Sequence, residues 1–117
     1  MTQPTDEVDA VLAALADPMR RRLLGLLAER GEATATALAT ALPVTRQAVV
    51  KHLGVLDRAG LVHSRKTGRE VRYLVQPDAL DLTARWMGGL AADWSRRLAA
   101  IKRIAEAGDT SGRSDTP

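Results

Sequence analysis

The sequence predicts a mainly α-helical domain carrying one small β-hairpin, and three observations carry that prediction. Apolar residues recur at helical spacing in five stretches, helix-start and helix-stop residues separate those stretches, and one run, Glu70 to Gln76, alternates with strand periodicity. The chain has 117 residues, no Phe, and only Tyr73, Trp86 and Trp94 as aromatics, so its core must be made of Leu, Val and Ala. A core of that composition favours close helix packing and further burial against a second subunit.

Composition also bounds the partners. The net charge of +3 is mild, but between Pro18 and Leu80 there are 11 basic residues against 5 acidic ones, whereas the segment before it holds Asp6, Glu7, Asp9 and Asp17 and nothing basic. A basic middle fits a polyanionic partner. The absence of cysteine excludes disulfides, thiolate metal sites and thiol redox sensing together. The N-terminus is polar and acidic where a signal peptide would be basic then apolar, and no run approaches the roughly 20 apolar residues of a membrane span. A soluble, cytoplasmic protein without a membrane partner is expected.

Residues Met1 to Thr5 carry little pattern and are expected to be loose, with the folded domain over residues 6–107. In the first helix, residues 6–16, Val8, Val11, Leu12 and Leu15 share one face, and acidic residues occupy the opening turn as the helix dipole prefers. That face is expected to meet a second subunit. Asp17-Pro18 starts the second helix, Asp as cap and Pro at the first position, and Leu23, Leu24, Leu26 and Leu27 form its apolar side up to the closing Gly31. Arg20, Arg21 and Arg22 lie near its positive end, against the macrodipole; salt bridges are a plainer explanation than a held phosphate.

Glu32 and Ala33 read as a connection. Thr34 or Thr36 caps a third helix through Leu42, with Leu38 and Leu42 inward, and Pro43-Val44 is a turn. Thr45 to Gly60, TRQAVVKHLGVLDRAG, then reads as one helix capped by the Thr45 hydroxyl and ended by a left-handed Gly60. Val49, Leu53 and Leu56 form its buried face, widened by Ala48, Val55 and Ala59. Arg46, Gln47, Val50, Lys51, Gly54, Asp57 and Arg58 remain on the other side. A short helix, a tight turn and this donor-bearing helix make a helix-turn-helix, whose second member a DNA major groove can accept.

Leu61 to Lys66 and Glu70 to Gln76 are β-prone runs joined by Thr67-Gly68-Arg69, and Arg65, Lys66, Arg69 and Arg72 cluster around them. A basic hairpin directly after a recognition helix is a wing that can follow the phosphate backbone or place Arg69 in a flanking minor groove. Pro77-Asp78 caps a long last helix, residues 79–107, with Leu80, Met87, Leu90, Ala91, Trp94, Leu98, Ile101 and Ala105 as its apolar stripe. Such a stripe asks to be covered, so Met87, Trp94, Leu98 and Ile101 join Val8, Val11, Leu12 and Leu15 as the expected dimer interface. After Gly108 the polar tail, residues 108–117, is expected to be disordered.

This order of elements, with LADPMRRRLLGLL, VTRQAVVKHLGVLDRAGLV and TGREVRYLVQPDAL, resembles the ArsR-type (ArsR/SmtB) winged helix-turn-helix repressors over about residues Val8 to Ile104. The resemblance implies a homodimer on an imperfect palindrome in double-stranded promoter DNA, released or weakened when an effector arrives. It also implies that Thr45, Arg46, Gln47, Val50 and Lys51 face DNA and that Lys66 and Arg69 serve the wing. Gln47 can pair with adenine through two hydrogen bonds, and Arg46 with guanine or phosphate. Val50 departs from the family pattern, where a Ser is common; it can touch only a thymine methyl. His52 matches a position usually filled by His and reads as a packed side chain.

Many members of that family bind metals through cysteines in the first helix of the helix-turn-helix or through Asp, His and Glu pairs on the last helix. Here TATALATALPV offers no thiolate, and the last helix has no His, with Asp81, Asp93 and Glu106 too widely spaced to pair within one chain. A regulator without metal response or cofactor is expected. No Ser/His/Asp or Cys/His set and no phosphate-cradling Gly loop is available, so no catalytic residues are assigned. The alternative is a winged-helix module that binds protein instead of an operator. Apolar or acidic residues on the exposed face of the Thr45 helix would favour it; Arg46, Gln47 and Lys51 favour DNA.

Overall fold

The computed structural model describes residues 4–113, arranged as five helices and three short strands. They are α1 (Pro4–Leu15), α2 (Pro18–Arg30), β1 (Glu32–Thr34), α3 (Ala35–Ala41), α4 (Arg46–Arg58), β2 (Val62–Thr67), β3 (Glu70–Val75) and α5 (Pro77–Arg113). The mainly α architecture with a β wing is the one the sequence predicts, with differences at both ends and at β1.

Local chemistry sets the boundaries. The Asp17 carboxylate accepts from the Met19 and Arg20 amides at 2.7 and 3.3 Å, and Pro18 fills the first position of α2, where no amide hydrogen is needed. Of the two candidate caps for α3, Thr34 is the one used: its Oγ1 accepts from the Ala37 amide at 3.1 Å. Thr45 caps α4 through the Ala48 amide, also at 3.1 Å. The end of α4 is a Schellman turn. Gly60 takes φ +78, its amide donates to the Asp57 carbonyl, and the Leu61 amide donates to the Leu56 carbonyl, each at 2.9 Å.

The arginines that looked misplaced at the start of α2 have a structural role. Arg20 Nε donates to the Ala14 carbonyl at 2.5 Å, and Arg21 Nη1 donates to the Leu15 carbonyl at 2.6 Å. Those carbonyls end α1 without helical partners, so the two guanidinium groups cap α1 at the negative pole of its dipole.

The sheet has three strands, not two. β1 pairs antiparallel with β3, placing Glu32 opposite Leu74, Ala33 opposite Tyr73 and Thr34 opposite Arg72; β3 pairs with β2 from Val62–Val75 to Thr67–Glu70. The connection expected at Glu32-Ala33 is therefore a strand. Three residues are too few to show alternation, and the pairing that defines them lies about forty positions downstream. Gly68 and Arg69 make the turn, Gly68 with φ +63 and Arg69 with negative φ, the sign pattern of a II′ hairpin.

Residue contacts divide the chain into two units, Met1–Ala84 and Arg85–Pro117. The core of the first is Leu, Val and Ala, as composition requires: Leu23, Leu27, Leu38, Val49, Leu53, Leu56 and Leu61 are fully enclosed. Leu42, Tyr73, Val75, Ala79 and Leu80 are packed against it. Val8 and Val11 are also buried, at 3% and 0% exposure, which corrects their placement in a dimer interface. Helical periodicity shows that a face is buried, but not against what. Leu12, at 40% exposure, remains available, and Leu15 is partly covered by the chain's own core.

Two terminal boundaries also move. Pro4 and Thr5, expected in a loose segment, belong to α1, where Pro suits a first turn; Met1 to Gln3 lie outside the described residues. At the other end α5 passes through Gly108 to Arg113 in place of stopping at Ala107. A glycine inside a helix costs about 1 kcal/mol, which discourages a helix without ending it. The rest of the expected tail, residues 114–117, lies outside the described residues.

In the second unit, Met87, Leu90, Trp94, Leu98 and Ile101 recur at spacings of three and four on one helical face, and all are exposed in the single chain, Trp94 at 58%. Asp93 pairs with Arg96, and Lys102 with Glu106, along the polar side.

Candidate nucleic-acid interface

The recognition helix is held from behind. Val49, Leu53 and Leu56 are wholly buried, and each fully buried aliphatic side chain of this size contributes about 1.5–3 kcal/mol relative to exposure. That fixes the rotation of α4 and so decides which residues face outward. Thr45, Arg46, Gln47, Val50 and Lys51 are all exposed, Val50 at 39%.

A second attachment runs through His52. Its Nδ1 stands 3.5 Å from Arg20 Nη1, and the same guanidinium lies 3.6 Å from the Asp17 carboxylate, so α4 is tied to the N-terminus of α2. Partial desolvation works to raise the Asp17 pKa. The Arg20 and Met19 amides and the nearby Arg20 and His52 charges outweigh it, leaving that carboxyl below its usual range.

Arg46 is not free to sweep the surface. Its Nε donates to Thr36 Oγ1 at 3.1 Å, which joins the first residue of α4 to α3. Gln47 and Lys51 have no such tie among the described contacts and project from the same face.

The four wing cations separate into two classes. Arg65 and Arg72 both bind Glu32 on β1, at 2.7 and 3.1 Å, and Arg72 also binds Glu70 at 3.0 Å. The hydrogen bond and charge of Glu70, with help from Glu32, raise the Arg72 pKa above its ordinary value. Lys66 and Arg69 form no ion pair among the described residues, and both are exposed at the hairpin tip. Lys66 and Arg69, the two residues assigned to the wing by resemblance, are thus the two wing cations without an ion pair among the described residues. Glu32 as the group that neutralises the other two was missed, because its position depends on the β1–β3 register.

Arg46 and Arg69 both line a notch of about 310 Å³, together with Thr34, Ala35, Thr36, Glu70 and Val71. Away from it, a broader cavity of about 600 Å³ lies among Asp6, Glu7, Asp57, Arg58, His63 and Asp78. Among the described residues no three His, Cys, Asp or Glu side chains are grouped so as to hold a metal ion, and no helix is long and apolar enough to cross a membrane.

Comparison with known proteins agrees with this geometry. Residues 15–65 match the family model of a helix-turn-helix domain. An ArsR-like transcriptional regulator from Rhodococcus sp. RHA1 is 49% identical, covers 85% of this chain and 92% of its own, and superposes with a TM-score of 0.76. The HTH-type transcriptional regulator YuzN of Bacillus subtilis strain 168 is 45% identical over 67 residues, 52% of this chain and 73% of that protein. A solution structure from Mycobacterium bovis, described as a homodimeric winged helix-turn-helix DNA-binding domain of a possible ArsR-family regulator, is 33% identical. It covers 76% of this chain and 81% of its own at a TM-score of 0.62. With α3 and α4 as the helix-turn-helix, β2 and β3 as the wing and this similarity along most of its length, the chain belongs to the ArsR-type family of DNA-binding transcriptional regulators.

Proposed function

We propose that the protein is a homodimeric, cytoplasmic repressor that binds a palindromic operator through Thr45, Arg46, Gln47, Val50 and Lys51 of α4 and Lys66 and Arg69 of the wing. The observation that carries this reading is the outward face of α4. A helix whose back is wholly buried presents an amide and two cations beside a wing with two cations that are unpaired among the described residues.

The homodimer is supported by the exposed stripe of Met87, Trp94, Leu98 and Ile101 on α5, and by the homodimeric description of the Mycobacterium bovis relative; in the first unit Leu12 of α1 is exposed as well. An uncovered apolar stripe of this length costs free energy in water that a second copy recovers. On the operator, two recognition helices enter successive major grooves about one helical turn apart.

Regulation is independent of thiophilic metals in this reading, since the chain has no cysteine. It has no catalytic step and no cofactor, and any effector acts by changing DNA affinity.

Footprinting of the purified protein on DNA upstream of its own gene tests the proposal. Two protected half-sites related by a dyad are expected, and protection unchanged by Zn, Cd or arsenite. Uniform weak protection without a dyad would contradict the operator reading, and release by one of those ions would contradict metal independence.

A further inference from the structure

We infer that Arg46 and Arg69 form a clamp on a single backbone phosphate, with Thr36 as the positioning residue, and that Arg46 therefore does not read a base. This rests on the DNA-binding reading above and deepens it by dividing the recognition face into an anchoring part and a reading part.

Three observations combine. Arg46 is the first residue of α4, and its Nε is occupied by Thr36 Oγ1 at 3.1 Å, so the guanidinium is directed toward α3. With Nε engaged, the end-on pair of Nη donors is what remains, and that fork matches two oxygens of one phosphodiester. Arg46 also lines a notch with Arg69, the residue at the turn of the wing.

Charge in the notch points the same way. The lining holds two arginines against one acidic residue, Glu70, and Glu70 is bound by Arg72 at 3.0 Å. The notch, of about 310 Å³, has room for a phosphate oxygen and its hydration. The two sides of the notch come from different elements, the start of the helix-turn-helix and the wing. A phosphate held between them would lock the wing against α4 and set how deeply α4 enters the groove. Base discrimination then falls to Gln47, Val50 and Lys51, which carry no comparable tie.

The test combines selection from a randomised duplex library with salt titration and single methylphosphonate substitutions, which neutralise one phosphate at a time. Arg46→Ala and Arg69→Ala should each weaken binding on the order of tenfold, as loss of a charge-assisted hydrogen bond does. Each should flatten the slope of log affinity against log salt, and the double variant should lower it by about 0.9 in all, as one shared phosphate requires, while the selected sequence stays the same. Wild-type binding should be sensitive to one linkage per half-site, and each variant should show a reduced sensitivity at that same linkage, which the double variant loses. Thr36→Val should give a smaller loss at that linkage, on the order of threefold, with Thr36→Ser restoring it. Helical circular dichroism confirms that each variant is folded. An altered selected sequence with an unchanged salt slope for Arg46→Ala would make Arg46 a base reader and overturn the clamp. So would different linkages for the two arginines. If the wild type itself fails to select any sequence, the operator reading falls and the clamp with it, an outcome distinct from normal selection with a normal salt slope in Arg46→Ala, which rejects the clamp alone.

Discussion

Arg72 on β3 donates from Nη1 to the Glu32 carboxylate on β1 at 3.1 Å, and Arg65 on β2 reaches the other oxygen at 2.7 Å, so one carboxylate holds two of the four wing cations. This pairing limits how strongly the wing attracts any polyanion. Glu32→Gln should release Arg65 and leave Arg72 held by Glu70 alone, raising affinity for random duplex several-fold and steepening its salt dependence. Exposed ion pairs contribute little to folding, so the melting temperature should move little. Unchanged random-duplex binding would show that Arg65 and Arg72 do not face the DNA.

The cap on the recognition helix gives a stability prediction. Thr45→Ala removes the acceptor for the Ala48 amide and should cost about 1 kcal/mol in urea unfolding, whereas Thr45→Ser should cost much less. Leu53→Ala, in the wholly enclosed core behind the same helix, should cost about 2–5 kcal/mol. Equal effects from Thr45→Ala and Leu53→Ala would contradict the packing described.

Asp17 makes stability depend on pH in a predictable direction. Its folded pKa is below the unfolded value, so the unfolded chain binds the proton more readily. The stabilisation is therefore fully present above the ordinary carboxylate pKa of about 3.9 and is lost as pH falls through the lower folded value. Asp17→Asn keeps a capping oxygen but removes the titration. The melting-temperature gap between wild type and Asp17→Asn should shrink as pH drops from about 6 to about 2; a gap that stays constant would show that the carboxylate charge contributes nothing.

Trp94 is the largest exposed side chain on the α5 stripe. Trp94→Arg should shift the protein toward monomer in sedimentation at micromolar concentration while its first unit keeps its helical spectrum. Operator affinity should fall steeply, since two half-sites would no longer be engaged as one unit. A wild-type monomer under those conditions would remove the dimer from the account.

Most of the helix-turn-helix was legible because its determinants are local. Caps at Asp17 and Thr45, a left-handed glycine at position 60, and helical spacing of Val49, Leu53 and Leu56 are each written within a few residues. What the sequence did not convey depends on distant partners. β1 exists because Glu32 to Thr34 pair with Arg72 to Leu74. Val11 turns inward because the first unit's apolar core has a place for it, and Val8 is buried on the same helix, although their spacing fits a dimer face equally well. Arg20 and Arg21 cap α1 across the bend between two helices, a relationship that a residue-by-residue dipole argument reads as unfavourable. The Thr36–Arg46 contact likewise needs the turn between α3 and α4 to bring the two together.

The central claim, that the outward face of α4 reads DNA sequence, is tested most directly by competition between the protein's own upstream duplex and random duplex at about 0.15 M salt, for wild type and Gln47→Ala. The wild type is expected to prefer its own site by roughly a thousandfold or more. Gln47→Ala should lose about 1–3 kcal/mol of that preference while keeping the salt slope. Equal affinity of the wild type for both duplexes would contradict the account.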